Sequence, residues 1–368
     1  MRLLMVVEQL RRSASGGIGT YVHGLLQGLD SLDPSEVPRL ELVASRNPRG
    51  GGPDPLAALG HPVRTSRLPG PLLTRAWDHR LVRAPADVDV VHATSVATMD
   101  PGRAALVVTV HDLLWRRVPD AYPARGRVWH ESALRRALHR ADAFIVPAEV
   151  VADDLREAGA ADDAITVIPM GSDHLPPPDL PAASALLARL GVDGPFLLSV
   201  GTLEPRKNQA RLIEAYGRIR SQLPEPWPLL MVGPTGWGKR LVPQPGVVLT
   251  GVVSPGELSA LYATARLLAY VPLIEGFGLP PVEAMTFGTP VVASPLPSTA
   301  GAAFEVDPGS VESITEGLRS VASDAALRER LTALGRLRSS ELTWTAIARR
   351  HVAVWEQACA SSPGTGRG

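Results

Sequence analysis

Short apolar runs alternate with amphipathic stretches along this chain, and the alternation occurs twice. In the first half the runs are Leu3 to Val7, Leu40 to Ala44, Val88 to Val91, Leu106 to Val110, Phe144 to Val146 and Ile165 to Ile168. In the second they are Phe196 to Val200, Leu229 to Val232, Val247 to Leu249, Leu267 to Val271 and Pro290 to Ala293. Strands separated by helical stretches imply βαβ units and a parallel sheet, so two such series predict two α/β domains. Between them Pro169–Asp179 breaks both periodicities with proline and glycine and reads as the interdomain linker. Ser254-Pro255-Gly256-Glu257 matches a capping box with proline at the first helical position, which marks one helix start. Ser361 to Gly368 reads as a disordered tail.

Composition supports that picture and narrows the partners. A chain of 368 residues with 45% hydrophobic content can fill two cores. Its 37 basic and 37 acidic residues give no global field to recruit nucleic acid or an anionic membrane, so small molecules are the expected partners. Cys359 is the single cysteine, which excludes an intrachain disulfide and a cysteine-based metal cluster and fits a reducing compartment. The opening apolar run is too short for a signal peptide, and no run approaches the roughly 20 residues that span a bilayer. A soluble cytoplasmic enzyme is the expectation.

The candidate chemistry is densest at Ile274-Glu275-Gly276-Phe277-Gly278-Leu279-Pro280-Pro281-Val282-Glu283. Ile274 closes an apolar run, and the two prolines suit the first turn of a helix, so Glu275 falls in a strand-to-helix loop and Glu283 in the helix's first turns. Gly276 and Gly278 let the backbone approach a ligand, with free N–H groups and the positive helix end facing the same space. Such a pocket would hold a phosphate beside two carboxylates that accept hydrogen bonds from sugar hydroxyls. The helix dipole alone accounts for Glu283, at roughly 0.3–1 kcal/mol. It does not account for Glu275, a carboxylate placed where open α/β sheets bind ligands.

Further groups lie at other strand ends. Arg206 and Lys207 follow the strand Phe196 to Val200 at a helix start, where the dipole opposes cations, and this mismatch favours a diphosphate ligand over a solvated pair. His92 and His111 end apolar runs; His92 reads as a structural residue, and His111, in His111-Asp-Leu-Leu-Trp115, as a site residue. Ser15-Gly16-Gly17-Ile-Gly19-Thr20-Tyr21 opens a helix after the first strand, but its spacing is not the dinucleotide fingerprint. Arg125 to Arg140 sets basic residues beside a helical apolar stripe. It reads as a covering helix with a solvated face, and the other use of such a helix is peripheral contact with an anionic membrane or a lipid-linked acceptor.

The segment Glu275 to Ser294 resembles the two-glutamate donor-site signature of the family 4 retaining glycosyltransferases, which have the GT-B fold. Gly201-Thr-Leu-Glu-Pro-Arg206-Lys207-Asn208 is similar to that family's phosphate-binding stretch, and the His111 segment to that of its mannosyltransferase-like branch. The resemblance also takes in Gly233 to Trp237, Gly251 to Ser254 and Leu261-Tyr262. It implies two Rossmann-like parallel-sheet domains facing a central cleft. These are an acceptor domain over 1–172, a nucleotide-sugar donor domain over 173–345, and a closing helix over 346–360 that packs back on the first domain, with the tail over 361–368. It implies a donor site of Arg206, Lys207, Glu283, Gly276, Phe277, Gly278, Leu279, Gly16 and Gly17, with Glu275 and His111 facing the transferred sugar. The implied reaction moves a hexose, mannose-like, with retention of configuration, from a nucleotide-diphosphate sugar, GDP-linked ahead of UDP-linked, to a glycan, glycolipid or secondary-metabolite acceptor. No metal or other cofactor is expected, because no carboxylates cluster and cations can take the metal's part. Two departures stand out: the loop after Ser294 reads as shortened and has no glutamate, and Ala148 stands where serine is usual. Other readings on the same fold are a sugar-nucleotide epimerase or phosphorylase, or a non-catalytic sugar-nucleotide binding protein.

Overall fold

The computed structural model describes residues 1–12, 16–47, 54–223, 227–236, 241 and 244–361. The chain divides into two compact units, residues 1–171 with 344–368 and residues 172–343. Crossing points therefore lie at Gly171–Ser172 and Thr343–Trp344, and the expected tail from 362 onward falls outside the described residues.

The first unit has strands β1 (Arg2–Val6), β2 (Arg39–Ala44), β3 (Val63–Thr65), β4 (Val90–Ala93), β5 (Ala105–Thr109), β6 (Ala143–Val146) and β7 (Ile165–Val167). They form one parallel sheet in the order β3-β2-β1-β4-β5-β6-β7. The central strands are apolar without alternation because helices cover both faces, and β4 and β5 are buried along their whole length. The final helix, Trp344–Ser361, belongs to this unit and packs along Gly16–Asp30. Close approach there depends on two glycines. A Cβ at Gly24 would stand 2.0 Å from the Trp344 ring, and one at Gly28 would stand 2.2 Å from the Trp344 carbonyl oxygen.

The second unit has β8 (Leu197–Val200), β9 (Leu229–Val232), β10 (Val247–Gly251), β11 (Leu267–Tyr270), β12 (Val291–Ala293) and β13 (Phe304–Glu305). These too are parallel, in the order β10-β9-β8-β11-β12-β13. Its core joins Leu197, Leu229 and Leu267 of the sheet to Tyr216 and Ile213 of the helix Gln209–Ile219. The capping box at Ser254 is formed, with Ser254 Oγ accepting from Glu257 N at 3.2 Å and Glu257 returning the bond to Ser254 N at 2.8 Å. The segment expected as a linker is firmly held at Ser172, whose N donates to Leu342 O at 2.9 Å. Among the described residues no helix is long and apolar enough to cross a membrane.

Candidate active site

The strand order of the second sheet reverses between β8 and β11. Connections leaving the carboxyl ends of two such strands go to opposite faces, which opens a crevice for ligands. One loop carries the turn Pro205–Lys207 and the other carries Glu275. Asn208, in the left-handed region at φ 60°, ends the turn and starts the next helix. Its Nδ2 donates to Val271 O at 2.9 Å and Pro308 O at 2.8 Å, while Leu273 N donates to Arg206 O at 2.9 Å. These bonds tie the two loops together and bring their charged side chains into contact.

Glu275 Oε1 accepts from both Arg206 Nη1 at 2.7 Å and Lys207 Nζ at 2.6 Å. Lys207 Nζ also donates to Tyr270 OH at 2.7 Å, and Arg206 Nη2 to Glu204 Oε1 at 2.6 Å. The four charged side chains are only 11–18% exposed. Burial opposes ionisation of Glu275, but Lys207 and Arg206 together prevail and hold the carboxyl below its usual range. Burial likewise opposes the Lys207 charge; Tyr270 and Glu275 outweigh it, and the ammonium is held above its usual range. Tyr270 is pushed up by its burial. Two cations thus face two carboxylates, and the cluster is formally neutral.

Glu283 lies on the helix Leu279–Thr286 and is 6% exposed. Its Oε2 accepts from Tyr262 OH at 2.7 Å, and its Oε1 lies 3.2 Å from His174 Nε2. Gly278, at φ 92°, caps this helix, and a Cβ there would come within 3.2 Å of Ser298 Oγ and 3.1 Å of Leu296. Pro280 and Pro281 carry no N–H, so Gly278 and Leu279 hold the donors of the helix start. The Phe277 and Leu279 side chains are buried, at 4% and 9% exposed.

In the first unit His111 stands two residues beyond β5, partly buried. Its Nε2 bonds to Thr94 O at 3.0 Å, and its ring meets the Tyr21 ring edge to face, centroids 4.9 Å apart. Burial lowers its pKa to about 4, so the ring is neutral at pH 7. His92 is fully buried, with Nε2 2.8 Å from Thr109 Oγ1. Gly16 and Gly17 form the exposed first turn of Gly16–Asp30; Gly16 has φ 57°, and a Cβ at either would meet nothing within 4 Å. Ser15 and Trp237 lie outside the described residues. Among the described residues no group of three or more His, Cys, Asp or Glu side chains could hold a metal ion.

Two family profiles cover most of the sequence: Glycosyltransferase Family 4 matches residues 15–174, and Glycosyl transferases group 1 matches residues 188–338. The chain belongs to glycosyltransferase family 4. Relatives of this glycosyltransferase include the O-antigen chain mannosyltransferase B of Escherichia coli, 29% identical over 65% of this chain and 66% of that protein. They also include the MMP alpha-(1->4)-mannosyltransferase of Mycolicibacterium hassiacum, 28% identical over 74% and 72%. The chain thus spans just under two thirds of the first relative's length. Among solved structures, Anabaena Alr3699/HepE in complex with UDP and glucose superposes with a TM-score of 0.72 at 20% identity, covering 97% of this chain and 100% of that one. The fold is GT-B, with a seven-stranded and a six-stranded Rossmann-like parallel sheet.

In this glycosyltransferase the second unit brings Arg206, Lys207 and Glu275 into one cluster, while Glu283 has a separate pair of partners. Tyr270 and His174 were not singled out by sequence, and Glu204 and Tyr262 entered only inside resembling segments, with no site role. Glu204 had a readable signal, a carboxylate two residues before Arg206 in the same turn. His174 had none, because its partner lies 109 positions away and its own segment reads only as a loop.

Proposed function

We propose that this chain is a retaining hexosyltransferase whose second unit binds a nucleotide-diphosphate sugar and whose first unit serves the acceptor. The sharing of Glu275 Oε1 between Arg206 and Lys207 carries this reading. A carboxylate held by two cations at a strand-order reversal is a site prepared for an exchange. When a diphosphate takes the cations, Glu275 is released to accept hydrogen bonds from the sugar's hydroxyls. Arg206 and Lys207 then stabilise the leaving group as charge develops on it, a role in which loss of one donor typically costs on the order of 10²–10³ in rate. No metal is needed for that step. Glu283 takes the ribose hydroxyls on the lone pairs that Tyr262 and His174 leave, while neutral His111 orients the sugar as a hydrogen-bond acceptor.

The likeness to mannosyltransferases supports mannose as the hexose and GDP-mannose as the first donor to try, with a glycan, glycolipid or secondary metabolite as acceptor. Thermal melts with GDP, UDP, GDP-mannose and UDP-glucose test this, since a ligand of the folded state raises the midpoint by mass action. Donor turnover should survive EDTA and fall at least 100-fold in Lys207→Ala. A protein that consumes donor at the same rate in Lys207→Ala, or that converts it without releasing nucleoside diphosphate, is not this enzyme.

A further inference from the structure

The first unit buries a run of polar side chains whose hydrogens can be assigned one by one. Tyr21, Thr109, His92 and His351 are all 3% exposed or less. His351, on the final helix, bonds through Nδ1 to Ile347 O at 2.8 Å. A carbonyl oxygen only accepts, so Nδ1 carries the hydrogen. Burial holds the His351 pKa at about 4, which leaves the ring neutral and Nε2 bare. Nε2 lies 2.8 Å from Tyr21 OH, so the phenol donates to it. Having spent its hydrogen, the Tyr21 oxygen accepts from Thr109 Oγ1 at 2.9 Å. Thr109 in turn accepts from His92 Nε2 at 2.8 Å. The direction is single: His92 to Thr109 to Tyr21 to His351 to the Ile347 carbonyl. It leaves His92 Nδ1 as a buried acceptor with no partner among the described residues, which is less costly than an orphaned N–H.

The Tyr21 ring, fixed by its hydroxyl in the middle of this run, stands edge-on to His111 with planes 80° apart. The same carbonyl rule puts a hydrogen on His111 Nε2, which donates to Thr94 O at 3.0 Å, and leaves Nδ1 as the acceptor. Thr94 O is itself placed by Thr94 Oγ1, which donates to Val6 O at 2.6 Å. Two contacts therefore hold His111: the Thr94 carbonyl sets its tautomer and the Tyr21 ring its plane, and the second is governed from the final helix. We propose that His351 is a positioning residue for His111, acting through the Tyr21 hydroxyl to hold that ring in the plane from which Nε2–H donates to Thr94 O and Nδ1 is free to accept. For its effect on turnover the inference rests on the function proposed above.

Ring-nitrogen shifts of ¹⁵N-histidine-labelled full-length protein, assigned with His111→Gln, read the tautomer without any activity. The wild type should show a protonated Nε2 and a bare Nδ1 at His111. His351→Leu and Tyr21→Phe should move the His111 pair toward a tautomer mixture and lower kcat for donor turnover about 10-fold, with donor KM within about twofold. His351→Gln, whose amide oxygen can accept from Tyr21, should restore both readouts. Unchanged His111 shifts in folded His351→Leu and Tyr21→Phe would overturn the positioning role, whatever the rates. Altered shifts with full turnover in His111→Gln would instead remove the sugar-facing role of His111 and leave the positioning intact.

Discussion

Glu275 lies between a guanidinium and an ammonium, and under the proposed function its charge works against the anion those cations would bind. Removing that charge while keeping the shape should therefore split binding from chemistry. In Glu275→Gln the cluster of Arg206, Lys207 and Glu204 gains a net positive charge, so calorimetry should show GDP or UDP binding several-fold tighter while turnover falls about 100-fold or more. Weaker nucleotide binding in this variant would mean that Glu275 supports the cations and does not compete for them. Tyr270→Phe is the complementary change. It removes one oxygen at 2.7 Å from Lys207 Nζ without altering the ring, and should reduce turnover by less than Lys207→Ala does. If its loss equalled that of Lys207→Ala, Tyr270 would have a direct part in the reaction.

Between elements, packing of Gly16–Asp30 on Trp344–Ser361 has the least room for change. A side chain at Gly28 would meet the main-chain oxygen of Trp344, which cannot rotate away. Gly28→Val should destabilise the protein by about 1–3 kcal/mol in urea melts, as overpacked positions do; a midpoint unchanged from wild type would show that the helices separate at little cost. The same interface shows how far the sequence could be read. The eleven apolar runs match strands, the central ones because a parallel strand covered on both faces has to be largely apolar. The two strands without a matching run, Val63–Thr65 and Phe304–Glu305, are edge strands of three and two residues, too short and too exposed to leave a pattern. Arg206, Lys207 and Glu275 were legible because each sits next to a strand end, where local order dictates position. His174 and His351 were not, since their partners Glu283 and Tyr21 are brought to them only by the completed fold.

Across the whole molecule, three histidines whose pKa is depressed in the fold make stability depend on pH. His111 and His351 titrate at about 4, and His92 well below its ordinary 6.5, burial being the first cause in each. A group whose folded pKa is depressed in this direction stays neutral in the native state while the unfolded chain takes up a proton. Stability is therefore unaffected above about pH 6.5 and falls steadily from there to about 4. Melting curves between pH 7.5 and 4.5 should show that decline, and His351→Gln should flatten part of it; parallel curves for the two proteins would show that His351 is protonated equally in both states. The second unit, residues 172–343, is inserted into the first, whose last helix follows it in the chain. On a ribosome adding roughly 5–20 residues per second, the nascent first unit waits roughly ten to thirty seconds for Trp344 and His351 to emerge. Throughout that interval the Gly24–Gly28 face is uncovered and Tyr21 has no imidazole to receive its hydrogen. The first unit thus stays incomplete until the end of synthesis, while the inserted unit has its whole sequence available earlier.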